Sequence, residues 1–368
     1  MTSVVELTLS HLRSHRRTTL SLDARPVAIF GPNGAGKTNL LEAVSLLSPG
    51  RGLRRAGAED LIRRPEALGW KVSAVLQSGS TLHEVETDAQ PGQSRTVRID
   101  GKTTPQMALG HVARMVWLIP AMDRLWIEGA DGRRRFLDRI AMSFVPSHGQ
   151  AVLSYEKAMR ERNRLLKDMV RDAHWYVALE RQMAASSEEI MTNRRAALAR
   201  IHAAQFDAET SFPSAELELV HPDRDLPDSS DDLTELLAEG RSADLRAGRS
   251  LVGPHRIDMS ACYAEKGVAA AQCSTGEQKA LLISLVLTNA RALREDGGVT
   301  PLILLDEVAA HLDAGRKAAL YDEICALDAQ AWMTGTGSEL FVELGARAQY
   351  VEVSETDDSS IARVVAIP

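Results

Sequence analysis

The chain has 368 residues, 44% of them hydrophobic and 25% charged, which is ordinary for a soluble globular protein with room for two or three domain-sized units. Its 43 Lys and Arg against 50 Asp and Glu leave a net charge of −7, so it is not basic overall and any surface for nucleic acid must be local. No apolar run reaches membrane-spanning length and the N-terminus lacks a secretory pattern; the 3 cysteines, Cys262, Cys273 and Cys325, have no metal-ligand spacing, so a reduced, cytoplasmic protein without zinc or disulfides is expected.

In chain order, Val5-Glu6-Leu7-Thr8-Leu9 alternates and reads as a strand. A basic loop, Arg13-Ser14-His15-Arg16-Arg17, leads through Leu20-Ser21-Leu22 to the apolar run Val27-Ala28-Ile29-Phe30, which suits a buried strand. Directly after it stands Gly31-Pro32-Asn33-Gly34-Ala35-Gly36-Lys37-Thr38, the G-x-x-x-x-G-K-T spacing of a phosphate-binding P-loop. Asn39 to Val44 then suits a helix. The chemistry needs these residue types. Glycines let the backbone take positive φ and approach a ligand. Successive N–H groups at a helix start make an anion nest. In such loops the Lys, here Lys37, reaches the β- and γ-phosphates of ATP, and the hydroxyl of Thr38 ligates Mg²⁺. A plain glycine turn is the alternative, and the strand before and helix after weigh against it.

Arg51-Gly52-Leu53-Arg54-Arg55 and Arg63-Arg64 read as a solvated face or, near a phosphate, as neutralising charge. From Lys71 to Ile99 the pattern turns to antiparallel strands: Val72 to Gln77 and Leu82 to Val85 flank Ser78-Gly79-Ser80, and Thr96 to Ile99 meets the turn pair Asp100-Gly101. Met115 to Ile119 is a further buried strand, ended by Pro120. Arg133-Arg134-Arg135-Phe136-Leu137-Asp138 opens a helix with a basic first turn. Val152 to Gln205 has no Gly or Pro. Leu153, Met159, Leu165, Leu166 and Met169, then Leu179, Met183, Ile190 and Leu198, recur at helical spacing and predict two or three long helices. Most of the charges there, Arg160, Arg162, Arg164 and Glu180 among them, read as solvated. Pro222 to Ser230 is a connection and Leu233 to Leu245 a short helix. Gly253-Pro254-His255-Arg256-Ile257-Asp258 is a loop leading to a strand that ends near Tyr263; a surface turn and a polar site are equally open for His255 and Arg256.

Thr300-Pro301-Leu302-Ile303-Leu304-Leu305-Asp306-Glu307 is an apolar strand ending in two carboxylates. In P-loop NTPases such a strand places its Asp on Mg²⁺, which gives Thr38 and Asp306 as the metal pair. Glu307 is then suited to act as general base on the attacking water. Between the two halves, Cys273-Ser274-Thr275-Gly276-Glu277-Gln278-Lys279 precedes an apolar helix. Polar hydroxyls and a glycine there make either a second anion site or a plain helix cap.

That string, some thirty residues before the Asp-Glu strand, resembles the signature motif of ABC-type ATPases, with Cys273 where Leu is commoner and His311-Leu312-Asp313 where they have the D-loop. Within them the chain resembles the SMC-related RecF family. Four features carry this: Leu7 to Ser14 leading straight to the P-loop; Val97-Arg98-Ile99-Asp100-Gly101; Arg134-Arg135-Phe136-Leu137-Asp138 with Tyr155 and Arg162-Asn163-Arg164-Leu165-Leu166; and Gly253 to Asp258 followed by Ser274 to Lys279.

The resemblance implies an α/β fold: a P-loop ABC-type ATPase head with an inserted helical arm. Residues 1–151 and 250–368 would form the head and 152–249 the arm. It implies ATP and Mg²⁺ as cofactors and a weak ATPase that forms an ATP-dependent homodimer. Ser274, Gly276 and Gln278 of one chain would act on ATP held by residues 31–38, Lys37 above all, of the other. It also implies DNA binding, at duplex or single-strand/double-strand junctions, and work with RecO and RecR in loading RecA at gaps, in recombinational repair, replication restart and the SOS response. Two departures stand out: Trp117 falls where a Q-loop Gln is common, and Trp332-Met333-Thr334-Gly335-Thr336 offers hydroxyls where a transporter ATPase has a switch His. Both fit slow hydrolysis. The alternatives are a transporter-type ATPase subunit, disfavoured by the long insert, and an SMC-like structural clamp, for which the arm is short. Arg51, Arg54, Arg55 and Arg133 to Arg135 are the first DNA candidates, with Arg160 and Arg164 behind them.

Overall fold

The structure, a computed structural model, describes residues 1–64, 66–206, 208, 210–221, 225–297, 300–356 and 359–367, with the backbone alone at 310 and 311. They form two compact units. The first takes 1–123, 204–214 and 274–368; the second takes 124–203 and 215–273.

The first unit opens with β1 (Thr2–Leu12) and β2 (His15–Ser21), a hairpin. The expected basic loop is only a turn at Arg13 and Ser14, made tight by the positive φ of His11 and Arg13, and His15 already lies on β2. β3 (Val27–Phe30) runs into the P-loop and α1 (Lys37–Ser45). Then come β4 (Trp70–Ser78), β5 (Thr81–Ala89), β6 (Thr96–Ile99), β7 (Lys102–Thr103), α2 (Leu109–Val112) and β8 (Met115–Leu118).

The second unit holds α3 (Ala130–Phe144), α4 (His148–Lys167), most of α5 (His174–Phe206), β9 (Ala215–Val220), α6 (Ser230–Glu239), α7 (Arg241–Ala247), β10 (Asp258–Tyr263) and β11 (Val268–Ala269). It is wider than the expected arm, 152–249, because α3 packs on β10 and both therefore belong with the helices. Position 152 lies inside α4. The expected helix from Leu233 to Leu245 is two helices meeting at Gly240, which has no side chain to stabilise a continuous turn. α3 starts at Ala130, so its first turn carries Asp131 and the arginine run sits one turn later. On α4 the buried stripe is Ala151, Tyr155, Ala158, Arg162 and Leu166; Leu153 faces away at 54% exposed, and Met169 lies past the helix end at 53%. β9, β10 and β11 form an antiparallel sheet in the order β11-β10-β9.

Arg162, expected in solvent, is fully buried. Its guanidinium donates to Glu180 Oε1 at 3.1 and 3.2 Å, Asp244 Oδ2 at 2.6 Å, Ser250 Oγ at 2.8 Å and the Leu237 carbonyl at 3.2 Å. Arg241 also holds Glu180. These charges come from three helices, and a buried pair costs several kcal/mol per ion to desolvate, so only this full set of hydrogen bonds makes the burial tolerable.

The chain returns to the first unit with α8 (Thr275–Gly297), β12 (Leu302–Leu305), α9 (Ala314–Ala326), β13 (Ala331–Gly335), β14 (Gln349–Thr356) and β15 (Ser359–Val365). One sheet has the order β15-β14-β3-β13-β12-β8; the other, antiparallel, has β2-β1-β4-β5-β6-β7. The β12 run is buried at all four positions, as expected for a parallel strand covered on both faces. β3 pairs with β13 on one side and β14 on the other, so both neighbours of the P-loop strand come from the C-terminal part of the chain. Gln330 fastens the two ends, with its Oε1 accepting the Val4 N–H at 2.8 Å and its Nε2 donating to the Asp23 carbonyl at 2.7 Å. The core lies around α1: Leu40, Leu41, Val44 and Leu47 pack with Leu7, Leu9, Ile29, Trp70, Leu304 and Trp332. Truncating one of these leucines to Ala costs about 2–5 kcal/mol.

Candidate nucleotide site

The P-loop is shaped from behind. A Cβ at Gly31 would stand 2.0 Å from the Val353 carbonyl oxygen of β14, so only glycine lets the loop pass so close to that strand. Gly36, at φ +104, precedes α1, and a Cβ there would meet Ser360 Oγ at 2.4 Å and Ser14 Oγ at 2.7 Å. Those two serines bond each other at 2.6 Å, and Ser14 also accepts from Asn39 of α1 at 2.8 Å. His15 Nε2–H donates to the Gly36 carbonyl at 3.1 Å, with Thr18 Oγ1 2.8 Å from its Nδ1. Burial pushes the His15 pKa down, which favours this neutral form. The outer residues, Pro32, Asn33 and Gly34, are exposed.

Lys37 is buried, and its Nζ donates to the Gly31 and Pro32 carbonyls at 2.7 and 2.8 Å. Burial lowers its pKa, opposed by the nearby charges of Glu307 and Asp306. The ammonium is thus prepaid at the mouth of the nest. Thr38 Oγ1 donates to Asp306 Oδ1 at 2.9 Å, which joins the P-loop to the end of β12. This hydroxyl and carboxylate are hard oxygen donors of the kind Mg²⁺ takes beside a phosphate. Among the described residues no cluster of three or more His, Cys, Asp or Glu offers another metal site. Glu307 follows at φ 52, a left-handed conformation, and its N–H donates to Thr334 Oγ1 at 2.9 Å. Glu42 of α1 is fully buried and held bidentately by Arg13 at 2.9 Å twice, a clamp on the P-loop helix that the sequence pattern did not mark.

The signature string opens α8 with a capping box: Glu277 Oε2 accepts from both the N–H and the hydroxyl of Ser274 at 2.8 Å. Ser274, Thr275 and Gly276 are exposed. Gln278 is not; it is 6% exposed, because two residues on from Gly276 is about 200° round the helix, on its buried side. The surface presented to a ligand is therefore Ser274 to Gly276. Lys279 is buried too and reaches Asp123 at 3.5 Å. α8 packs on β8, and β13 and β12 lie between β8 and the P-loop strand, a span of about 14 Å at normal strand spacing. Asp313 caps α9 by accepting the Arg316 N–H at 2.9 Å; the side chain of His311 lies outside the described residues. Trp117, half-buried on β8 in register with Leu304, packs on the core.

The candidate DNA contacts separate. Arg133 is committed to Asp258, at 2.9 and 2.7 Å, and to the Glu128 carbonyl at 2.6 Å, and Arg134 pairs with Asp131. Arg135 is exposed, as are Arg51, Arg54, Arg55, Arg160 and Arg164; Arg54 bonds Asn39 at 3.0 Å, which places it beside α1.

Known proteins resemble this chain over nearly its whole length. The RecF/RecN/SMC N-terminal domain model matches residues 3–359. The DNA replication and repair protein RecF of Rhizobium etli is 44% identical over 366 residues, covering 96% of this chain and 97% of its own. That of Mesorhizobium japonicum is 45% identical over 365 residues, covering 96% of each. Among solved structures, the recombination mediator protein RecF-ATP of the RecFOR pathway superposes with a TM-score of 0.83 at 22% identity, over 99% of this chain and 98% of that one. The Pyrococcus furiosus Smc head domain with its extended coiled coil, bound to the C-terminal domain of ScpA, gives 0.57 at 16%, over 100% and 97%. Both share the ABC-type α/β ATPase fold.

Proposed function

The chain belongs to the RecF family, and from that premise we propose that it is an ATP-switched DNA-binding protein of DNA replication and repair. The single observation that carries the reading is the Thr38–Asp306 bond, which brings the P-loop and the carboxylate strand into one nucleotide site. Residues 31–38 would hold ATP, with Lys37 towards its phosphates, and Thr38 and Asp306 would hold Mg²⁺, which would supply charge neutralisation. Glu307 takes the proton of the attacking water. Binding of ATP by the similar RecF named in the solved structure supports the cofactor.

The second half of the site comes from another copy of the chain. Ser274 and Gly276 are exposed at the start of a helix on the far edge of the sheet, where the positive end of α8 suits a phosphate brought by a facing subunit. Gln278, buried, supports that surface from beneath. ATP then joins a homodimer, and slow hydrolysis releases it. In this reading the dimer holds duplex DNA at single-strand/double-strand junctions, with Arg51, Arg54 and Arg55 as the candidates on the first unit and Arg135 as a separate candidate on the second. It works with RecO and RecR, as the RecFOR name of the similar protein indicates, to load RecA at gaps during the SOS response. Among the described residues no helix is long and apolar enough to cross a membrane. The test is sedimentation and duplex-DNA binding with and without ATP. ATP-dependent dimers that bind DNA are expected; a monomer indifferent to ATP would overturn the reading.

A further inference from the structure

A buried hydroxyl on β13 touches both residues at the end of β12. Thr334 is 1% exposed. Its Oγ1 donates to Asp306 Oδ1 at 2.7 Å and accepts the Glu307 N–H at 2.9 Å. The direction is forced: the amide can only donate, so the single hydroxyl proton goes to the carboxylate. Asp306 Oδ1 thus receives two hydroxyls, Thr38 from the P-loop and Thr334 from β13. Glu307 has φ 52, a conformation few non-glycine residues adopt, and the bond to Thr334 holds the N–H that this twist turns towards β13. β13 lies between β12 and β3 in parallel register on both sides, and a β-branched residue is stiff at χ1, so the hydroxyl is fixed by the sheet.

We propose that Thr334 is a positioning residue for ATP hydrolysis, holding the Asp306 carboxylate and the Glu307 backbone in working geometry without touching the nucleotide. The inference rests on Glu307 being the general base. Thr334→Val keeps the shape and removes the hydroxyl. Asp306 Oδ1 is left with Thr38 alone, and the Glu307 N–H loses its acceptor.

Four proteins are compared: wild type, Thr334→Val, Thr334→Ser and Glu307→Gln, by single-turnover ATP hydrolysis, ATP affinity by calorimetry, and lifetime of the ATP-bound dimer. Thr334→Val should slow hydrolysis by about 10²-fold, the cost of a misplaced catalytic group, with ATP affinity within about twofold of wild type because Lys37 is untouched. Its ATP-bound dimer should last longer, and Thr334→Ser should restore hydrolysis. A purely structural role predicts the opposite: weaker ATP binding and a shorter-lived dimer. Hydrolysis by Thr334→Val at the wild-type rate, or loss of ATP affinity in step with rate, overturns the proposal. If Thr334→Val does not fold, Thr334→Cys, which keeps the volume with a weak donor, replaces it under the same criteria. If Glu307→Gln hydrolyses at the wild-type rate, the general-base reading fails and takes the Glu307 limb with it. If Glu307→Gln is slow while Thr334→Val is not, only this inference fails.

Discussion

The shared site makes a prediction that a single-chain site cannot. Lys37→Ala removes the ammonium now held by two P-loop carbonyls at the mouth of the nest. Ser274→Arg puts bulk on an exposed position at the start of α8 and removes a cap, a change worth only about 1 kcal/mol to the fold. Each variant alone should be inactive. In a two-fold dimer each chain meets its partner twice, so a mixed pair has one interface carrying both lesions and another carrying neither. Random pairing makes half the dimers mixed, each with one sound site of two, so activity should return to about a quarter of wild type. The assay is ATP turnover in a titration of one inactive variant with the other at constant total protein. It should peak at equal amounts and be absent at both ends. If both variants fold and co-sediment with ATP yet no activity returns at any ratio, the nucleotide is not shared between chains.

Other consequences are simpler to measure. Lys37→Ala should lose nucleotide affinity and ATP-dependent DNA binding, and an unchanged calorimetric titration would contradict the P-loop assignment. Glu307→Gln should bind ATP normally and slow hydrolysis by about 10²–10⁴-fold, leaving a dimer that persists in sedimentation. Arg135→Ala should lower the slope of log affinity against log salt by about one, whereas Arg133→Ala should leave that slope alone and cost roughly 1–3 kcal/mol of stability by stripping Asp258 of its partner. Burial, outweighing its bond to the Ser250 carbonyl, pushes the His255 imidazole down to about 4 from an ordinary 6.5. Between those values the unfolded chain binds the extra proton, so stability should fall as pH drops from 6.5 towards 4, by at most about 1.4 kcal/mol per unit. In denaturant melts the stability of His255→Gln should fall less steeply than that of wild type across that window, and parallel pH profiles would refute the assignment to this group.

Much of the site is legible in the sequence because its chemistry is local. The P-loop carries its own spacing, strand and helix, and Asp306-Glu307 follows four apolar residues that can only be a buried strand. What was not legible depends on partners far along the chain. Arg162 lies among ordinary helix charges, and its burial is decided by Glu180 on another helix and by Asp244, 82 positions away. Arg133 looks like a free cation until Asp258, 125 positions on, takes it. Gln278 belongs to a motif by spelling, yet the helical period carries it inward. The insert is wider than its helices suggest because α3 packs on β10, a strand far along the chain. Thr334 was visible as a hydroxyl, but its bonds to the carboxylate strand require the register of β12 and β13.

The P-loop strand has no neighbour from its own end of the molecule, and this imposes an order on the birth of the protein. Val4 and Gln330, 326 positions apart, are hydrogen-bonded partners, and β13 and β14 emerge from the ribosome long after β3 and after the whole second unit. At 5–20 residues per second the phosphate loop waits roughly 15–60 s without the strands that shape it. The contiguous helices of the second unit can form meanwhile. A chain cut short before β13 therefore has every residue of the P-loop without the strands that flank it, so ATP binding should appear only once β13 and β14 have been made.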